Sequence, residues 1–183
     1  SITPERSWWD LSYYHLDIAV DIEKQTIEGS NTIRYRVLKP NQLIQIDLQT
    51  PMNISKVFED GKELKYTRDG NAYFIELKKE QIAGAYNEII IQYSGKPRIA
   101  PRPPWDSGMV WEKDSLGKPF ASSISWGAGS SQWWPCKDHM YDEVDSLKFS
   151  INVRKDLLAV ANGRLANIET LKNNTKTYHW VVS

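Results

Sequence analysis

Residues 12–37 read SYYHLDIAVDIEKQTIEGSNTIRYRV, and their alternation is the strongest structural signal in the chain. Tyr14, Leu16, Ile18, Val20 and Ile22 fall on one face, with His15, Asp17 and Asp21 on the other. A period of two places successive side chains on opposite faces, which marks a half-buried β-strand. After the polar Glu23-Lys24-Gln25-Thr26 the period resumes, with Ile27, Gly29, Asn31, Ile33, Tyr35 and Val37 opposed to Glu28, Ser30, Thr32, Arg34 and Arg36. Two such runs across a short polar loop predict a long antiparallel hairpin.

The same reading extends outward. Strands are expected over 43–48, 53–58, 64–66, 72–77, 88–93, 146–153, 157–160, 164–169 and 177–182. Asp60-Gly61 and Asn162-Gly163 are two-residue hairpin turn signals. A short helical turn is expected over 79–85. Five of the nine prolines lie between Pro97 and Pro119, in a stretch that also carries Trp105 and Trp111. Proline removes a backbone donor and fixes φ, so this stretch is expected to be neither central sheet nor long helix. Loops of that length are usually functional or draped over a neighbouring surface. The expected fold is all-β, an antiparallel sandwich or saddle of curved sheets with a long Pro/Trp-rich loop.

Composition narrows the function. The 183 residues carry 23 Lys plus Arg and 23 Asp plus Glu, a formal net charge of zero. Nucleic-acid binders normally carry a basic surplus for phosphates, so that class is disfavoured. No apolar run approaches ~18 residues, so no membrane span is expected. No signal-peptide core is legible either, which leaves the compartment open. The single cysteine, Cys136, excludes an internal disulfide and every multi-cysteine zinc pattern. A chain of this size can bury roughly 70% of its unfolded surface without such staples.

Catalytic motifs are sparse. His15, His139 and His179 are too far apart in sequence for a zinc-binding HExxH helix, and His15 and His179 read as surface residues of strands. The acidic run around His139 reads as a solvated turn. The serine-rich 122–131 stretch holds no G-x-S-x-G elbow, and Gly127-Ala128-Gly129 lacks the lysine and helix of a phosphate loop. Cys136 has no legible histidine partner and reads as a buried structural thiol. Tryptophan is abundant: eight residues, seven of them (Trp8, Trp9, Trp105, Trp111, Trp126, Trp133 and Trp134) outside the clearest alternation. That distribution favours use at an interface or binding surface over pure core, and a stacking platform for sugars is one candidate use.

Trp133-Trp134-Pro135-Cys136-Lys137-Asp138-His139, followed by Asp142-Glu143 and Asp145-Ser146, resembles the W-P-C/N-K-D-H…DE-DS segment of bacterial M1-family zinc aminopeptidases. Trp8-Trp9-Asp10 through Asp17 resembles the family's opening strand, Ile27-Glu28-Gly29 its next, and Ala161-Asn162-Gly163-Arg164-Leu165 a later hairpin. Pro104-Trp105, Gly108, Trp111 and Gly117-Lys118-Pro119 are similar to the proline-rich stretch of one bacterial branch. The resemblance implies that residues 1–183 are one N-terminal β domain, with a thermolysin-like catalytic domain expected after residue 183. The zinc ligands and general base would belong to that domain, so the resemblance implies no metal and no catalytic residue in this chain. The implied partners are the protein's own catalytic domain and peptide substrates.

In the family, a Gln or Glu nine residues before the motif's proline helps to hold the substrate's α-amine. Here that position is Trp126, a departure, with Ser125, Gly127 and Gln132 beside it as further substrate-binding candidates. Indole attracts a cation through its face but accepts no hydrogen bond as an oxygen does. The resulting expectation is a non-catalytic domain that walls the cleft of a zinc aminopeptidase. The alternatives are a Trp-rich carbohydrate-binding sandwich and the scaffold domain of an inactive M1-like protein.

Overall fold

The computed structural model describes residues 2–183. In chain order its elements are α1 (Pro4–Ser7), β1 (Trp9–Asp21), β2 (Thr26–Val37), β3 (Leu43–Asp47), β4 (Asn53–Glu59), β5 (Lys62–Glu63), β6 (Tyr66–Asp69), β7 (Ala72–Glu76), β8 (Tyr86–Gly95), β9 (Gly108–Lys113), β10 (Pro119–Ile124), a 3-10 turn (Ser130–Gln132), β11 (Ser146–Arg154), β12 (Arg164–Thr170) and β13 (Thr175–Val182). The all-β expectation holds.

β1 and β2 pair in the expected hairpin, Ile18 opposite Gly29 and Val20 opposite Ile27. Its loop closes on Asp21, whose carboxylate accepts the backbone N–H groups of Glu23 and Lys24 at 3.1 and 3.0 Å. This hairpin is the middle of an eight-stranded sheet ordered β12-β13-β11-β1-β2-β8-β4-β5, while β3-β7-β6 make a second sheet and β9 and β10 a small hairpin. One core cluster draws on both larger sheets: Leu16, Ile33, Ile89, Ile91 and Val57 from the first, Ile44, Ile46 and Ile75 from the second. Each such side chain contributes roughly 1.5–3 kcal/mol through burial. The Asp60-Gly61 turn has positive φ at both residues, 48° and 70°, joining β4 to β5 as a type I′ turn requires.

Several expectations are corrected. β1 and β11 run parallel, whereas the other strand pairs are antiparallel. Alternation fixes which face a residue occupies but not the direction of a neighbour, and this pairing spans the whole intervening chain. Residues 157–160 form no strand, so Asn162-Gly163 is not a turn between two paired strands. Their carbonyls are taken by side chains instead: Tyr178 OH donates to Leu157 O at 3.1 Å and Trp180 Nε1 to Ala159 O at 3.2 Å. Residues 79–85 are not helical either. Their backbone reaches sideways, Gln81 N–H to Asn41 O and Gly84 N–H to Val37 O, both 2.8 Å. Among the described residues the one α-helical turn lies at Pro4–Ser7, with proline in its first turn, where a missing N–H costs no bond.

The tryptophans divide. Trp8 and Trp9 are core residues packed edge-on against Tyr35, centroids 5.8 and 5.6 Å away, and Trp134 is buried edge-on against Tyr14 at 4.9 Å. The expectation that tryptophans outside the clear strands serve a surface fails for these three, because β1 begins at Trp9 and the 133–139 segment folds inward.

Candidate functional site

The Trp133–His139 motif lies across the junction of the two large sheets. Pro135 offers its carbonyl to the buried Asn31 amide at 2.8 Å. Cys136 and Asp47 exchange backbone bonds, Asp47 N–H to Cys136 O at 2.8 Å and Cys136 N–H to Asp47 O at 3.1 Å, so the motif adds an antiparallel bridge to the edge of β3. Burial, then the carboxylates of Asp138 and Asp47, pushes the Cys136 thiol well above its ordinary range. It is therefore protonated and inert, as a structural thiol should be.

Lys137 is the motif's electrostatic centre. Its backbone N–H donates to Tyr14 OH at 2.8 Å, and its ammonium pairs with Asp142 and donates to the Trp9 carbonyl at 2.5 Å. The ammonium also sits 4.0 Å from the Trp9 ring centroid, within cation–π range. The side chains of Lys137 and Asp142 are only 3% and 12% exposed. Burial lowers the Lys137 pKa, and Asp142 opposes that shift. Asp142 further accepts the Leu11 backbone N–H at 3.2 Å. One ion pair thus fastens the motif to the start of β1.

Asp138 turns this anchorage into loop geometry. Its N–H donates to Asp47 Oδ2 at 3.2 Å, and its carboxylate accepts the Ser131 hydroxyl. The carboxylate lies so close over Gly129 (φ +79°) that a Cβ there would fall 2.0 Å from Asp138 Oδ2. Gln49 closes the other side, its amide donating to Ala128 O at 2.6 Å and Ser131 Oγ at 3.0 Å. Residues 126–128 are left as a turn projecting from a fixed base.

Of the four substrate-binding candidates, Ser125, Trp126 and Gly127 are exposed on this turn, and the Trp126 ring is 79% exposed. Gln132 is 1% exposed, and its amide nitrogen donates to Ile124 O and to Ser125 Oγ, the latter at 3.3 Å. Its amide nitrogen is spent inside the loop while its buried Oε1 has no partner among the described residues, and Trp126 is the large side chain that the turn presents. Ser107, which spacing gave no reason to select, donates its hydroxyl to the Trp126 carbonyl. That bond ties the 126–128 turn to the Arg102–Asp106 turn, closed by a 3.0 Å ion pair, where Trp105 is also 79% exposed. Two tryptophans thus stand out on neighbouring turns.

Among the described residues no three His, Cys, Asp or Glu side chains group as a metal site, so zinc has no fitting ligands here. No described helix is long and apolar enough to cross a membrane. A groove of about 620 Å³ lies between Leu43, Tyr66, Phe74 and Glu76 on the second sheet, with no tryptophan in its lining.

No curated protein matches the sequence. Among solved structures, an M1 zinc metallopeptidase from Deinococcus radiodurans superposes with a TM-score of 0.81 at 20% identity, covering 97% of this chain and 39% of that one. A mutant of that enzyme bound to the substrate Tyr-Ser-Ala gives 0.79 at 21% identity, over 98% and 41%. Leukotriene A4 hydrolase from Saccharomyces cerevisiae gives 0.72 at 17% identity, over 94% and 27%. The chain thus spans about two fifths of the bacterial enzyme and about a quarter of the yeast one. Residues 11–183 match the model of the Peptidase M1 N-terminal domain, and the chain belongs to that family.

Proposed function

We propose that this chain is the non-catalytic N-terminal domain of an M1-type zinc metallo-aminopeptidase, covering residues 1–183. In this reading it packs on the catalytic domain and walls one side of the active-site cleft. The observation that carries it is the pair of exposed rings, Trp105 and Trp126, held on turns anchored by the Trp133–Asp138 segment, which is buried from Trp134 to Lys137. Exposed aromatic surface on a rigid base is what an interface needs. The catalytic domain supplies the zinc that activates water for attack on the peptide bond. This chain supplies the wall: the Trp126 turn excludes long or folded substrates and offers an indole face to a peptide's α-ammonium group.

That substitution bears on activity. An indole attracts the ammonium but gives it no acceptor oxygen, so amine binding here rests on Trp126 together with backbone and hydroxyl oxygens of 125–127. The Trp-rich sugar-binding alternative gains nothing from the groove on the second sheet, which no tryptophan lines.

The test is aminopeptidase activity on a panel of aminoacyl chromogenic substrates, with zinc content measured alongside. It compares this chain, the longer protein that carries it, and that protein with Trp126→Gln. The proposal expects an inert, zinc-free chain beside a zinc-loaded active enzyme. A zinc-loaded protein that becomes active only with Trp126→Gln supports the scaffold reading. A zinc-free, inert longer protein overturns the peptidase assignment.

A further inference from the structure

On the polar face of the eight-stranded sheet, three side chains from three strands form a continuous hydrogen-bonded chain. His15 Nε2 (β1) lies 2.8 Å from Ser150 Oγ (β11), and Ser150 Oγ lies 2.9 Å from His179 Nδ1 (β13). His179 Nε2 faces Glu169 of β12 at 3.8 Å. Ser150 is 2% exposed, so its hydroxyl is committed to the two imidazoles. The sequence reading of His15 and His179 as plain surface histidines misses this, because Ser150 stands directly opposite His179 in the ladder but diagonal to His15.

Proton counting makes the chain a device. A hydroxyl donates one hydrogen bond, and a neutral imidazole carries one N–H. With both histidines neutral, one ring nitrogen must donate to Ser150 Oγ and the other must accept from it. A single added proton is accommodated without loss on either ring: the protonated ring donates to Ser150 Oγ, and Ser150 donates to the facing nitrogen of the neutral one. A second proton makes both facing nitrogens donors, and the hydroxyl hydrogen is left with neither imidazole to accept it.

The surrounding charges bias the outcome. Facing His15 are Asp17 on its own strand, Arg34 on β2, Lys148 on β11 and His179 on β13; facing His179 is Glu169, with Arg164 further along the same side of β12. Burial first, then Lys148, lowers the His15 pKa, and Asp17 opposes the shift.

We propose that His15, Ser150 and His179 form a proton-linked clasp that fastens β13, and with it the exposed edge strand β12, to the sheet at neutral pH and slackens in mild acid. The sign follows from the lowered His15 pKa. Folding favours its neutral form, so the associated stability is full above ~6.5 and is lost as pH falls toward the folded-state value.

The test uses the 183-residue chain, with histidine ring titration by NMR and amide exchange of β12 and β13 between pH 7.5 and 5.0, corrected for intrinsic rates. The clasp predicts a loss of β13 protection of about tenfold at the lower pH, the factor one hydrogen bond carries, in step with titration of the His15 ring. Ser150→Ala should show weakened protection already at pH 7.5. His15→Gln, which can donate and accept without titrating, should keep protection at pH 5.0. β13 protection indifferent to pH in the unsubstituted chain, or unchanged by Ser150→Ala at pH 7.5, would overturn the proposal.

Discussion

Replacing Lys137 with methionine is expected to destabilise the domain by about 3 kcal/mol, near the lower end of the cost of breaking a buried ion pair from one side. The figure rests on the surroundings. The ammonium is 3% exposed, pairs with Asp142 and donates to the Trp9 carbonyl, and methionine fills the space with none of these bonds. The lost cation–π contact at 4.0 Å adds roughly 1 kcal/mol. Removing a desolvated charge returns a similar amount, and Asp142, 12% exposed, recovers some hydration. Asp142→Asn keeps an oxygen for the Leu11 N–H, so the double variant isolates the charge pair. Lys137→Met with Asp142→Asn should be less destabilised than the sum of the single variants by about 2 kcal/mol. Urea unfolding followed by tryptophan fluorescence reads this as a midpoint shift of about 1 M for the single variant, with an m-value near 2.5 kcal/mol/M. A cost below about 1 kcal/mol, or strict additivity in the double variant, refutes the claim that this pair anchors the motif.

The remaining expectations concern the same scaffold. Gly129→Ala should cost about 2–4 kcal/mol, combining positive-φ strain with eviction of Asp138 from Ser131, as chemical denaturation would show. Gly29→Ala, whose Cβ would fall 2.1 Å from the Asp17 carbonyl oxygen, should open the β1–β2 hairpin and cost at least about 3 kcal/mol, read as a fall in Tm. Cys136 should resist thiol reagents at pH 8 until urea reaches the unfolding transition; labelling at the rate of a free thiol in native buffer would contradict its burial. Trp105→Ser with Trp126→Ser should leave the stability of this chain within about 0.5 kcal/mol, because both rings are exposed.

How much of this was legible in the sequence depends on what alternation encodes. Tyr14, Leu16, Ile18, Ile33 and Tyr35 were placed on the buried face by period alone, and the structure buries all five. The parallel pairing of β1 with β11 was invisible, because a period of two carries no strand direction. Leu157 to Val160 alternated like a strand, yet Tyr178 and Trp180 take up their carbonyls from the side, a contact no local pattern announces. The site was half legible. Motif spacing led to Trp126 and to the Trp133–His139 segment, but not to the work that segment does. Its residues are apolar or charged without period, and their roles follow from partners such as Asp47 and Asn31, about ninety and one hundred positions away. Ser107 and Ser150 carried no signal, since a lone serine becomes informative only when its hydrogen-bond partners are known.

In the proposed function the 102–106 and 125–129 turns form a docking surface for a catalytic domain. Amide exchange of these turns in the 183-residue chain, set against the same turns in the longer protein that carries it, tests this most directly. Slower exchange is expected at both turns in the longer protein, abolished by Trp105→Ser with Trp126→Ser while the β1–β2 hairpin stays protected in every form. Equal exchange of both turns in the two proteins would contradict it.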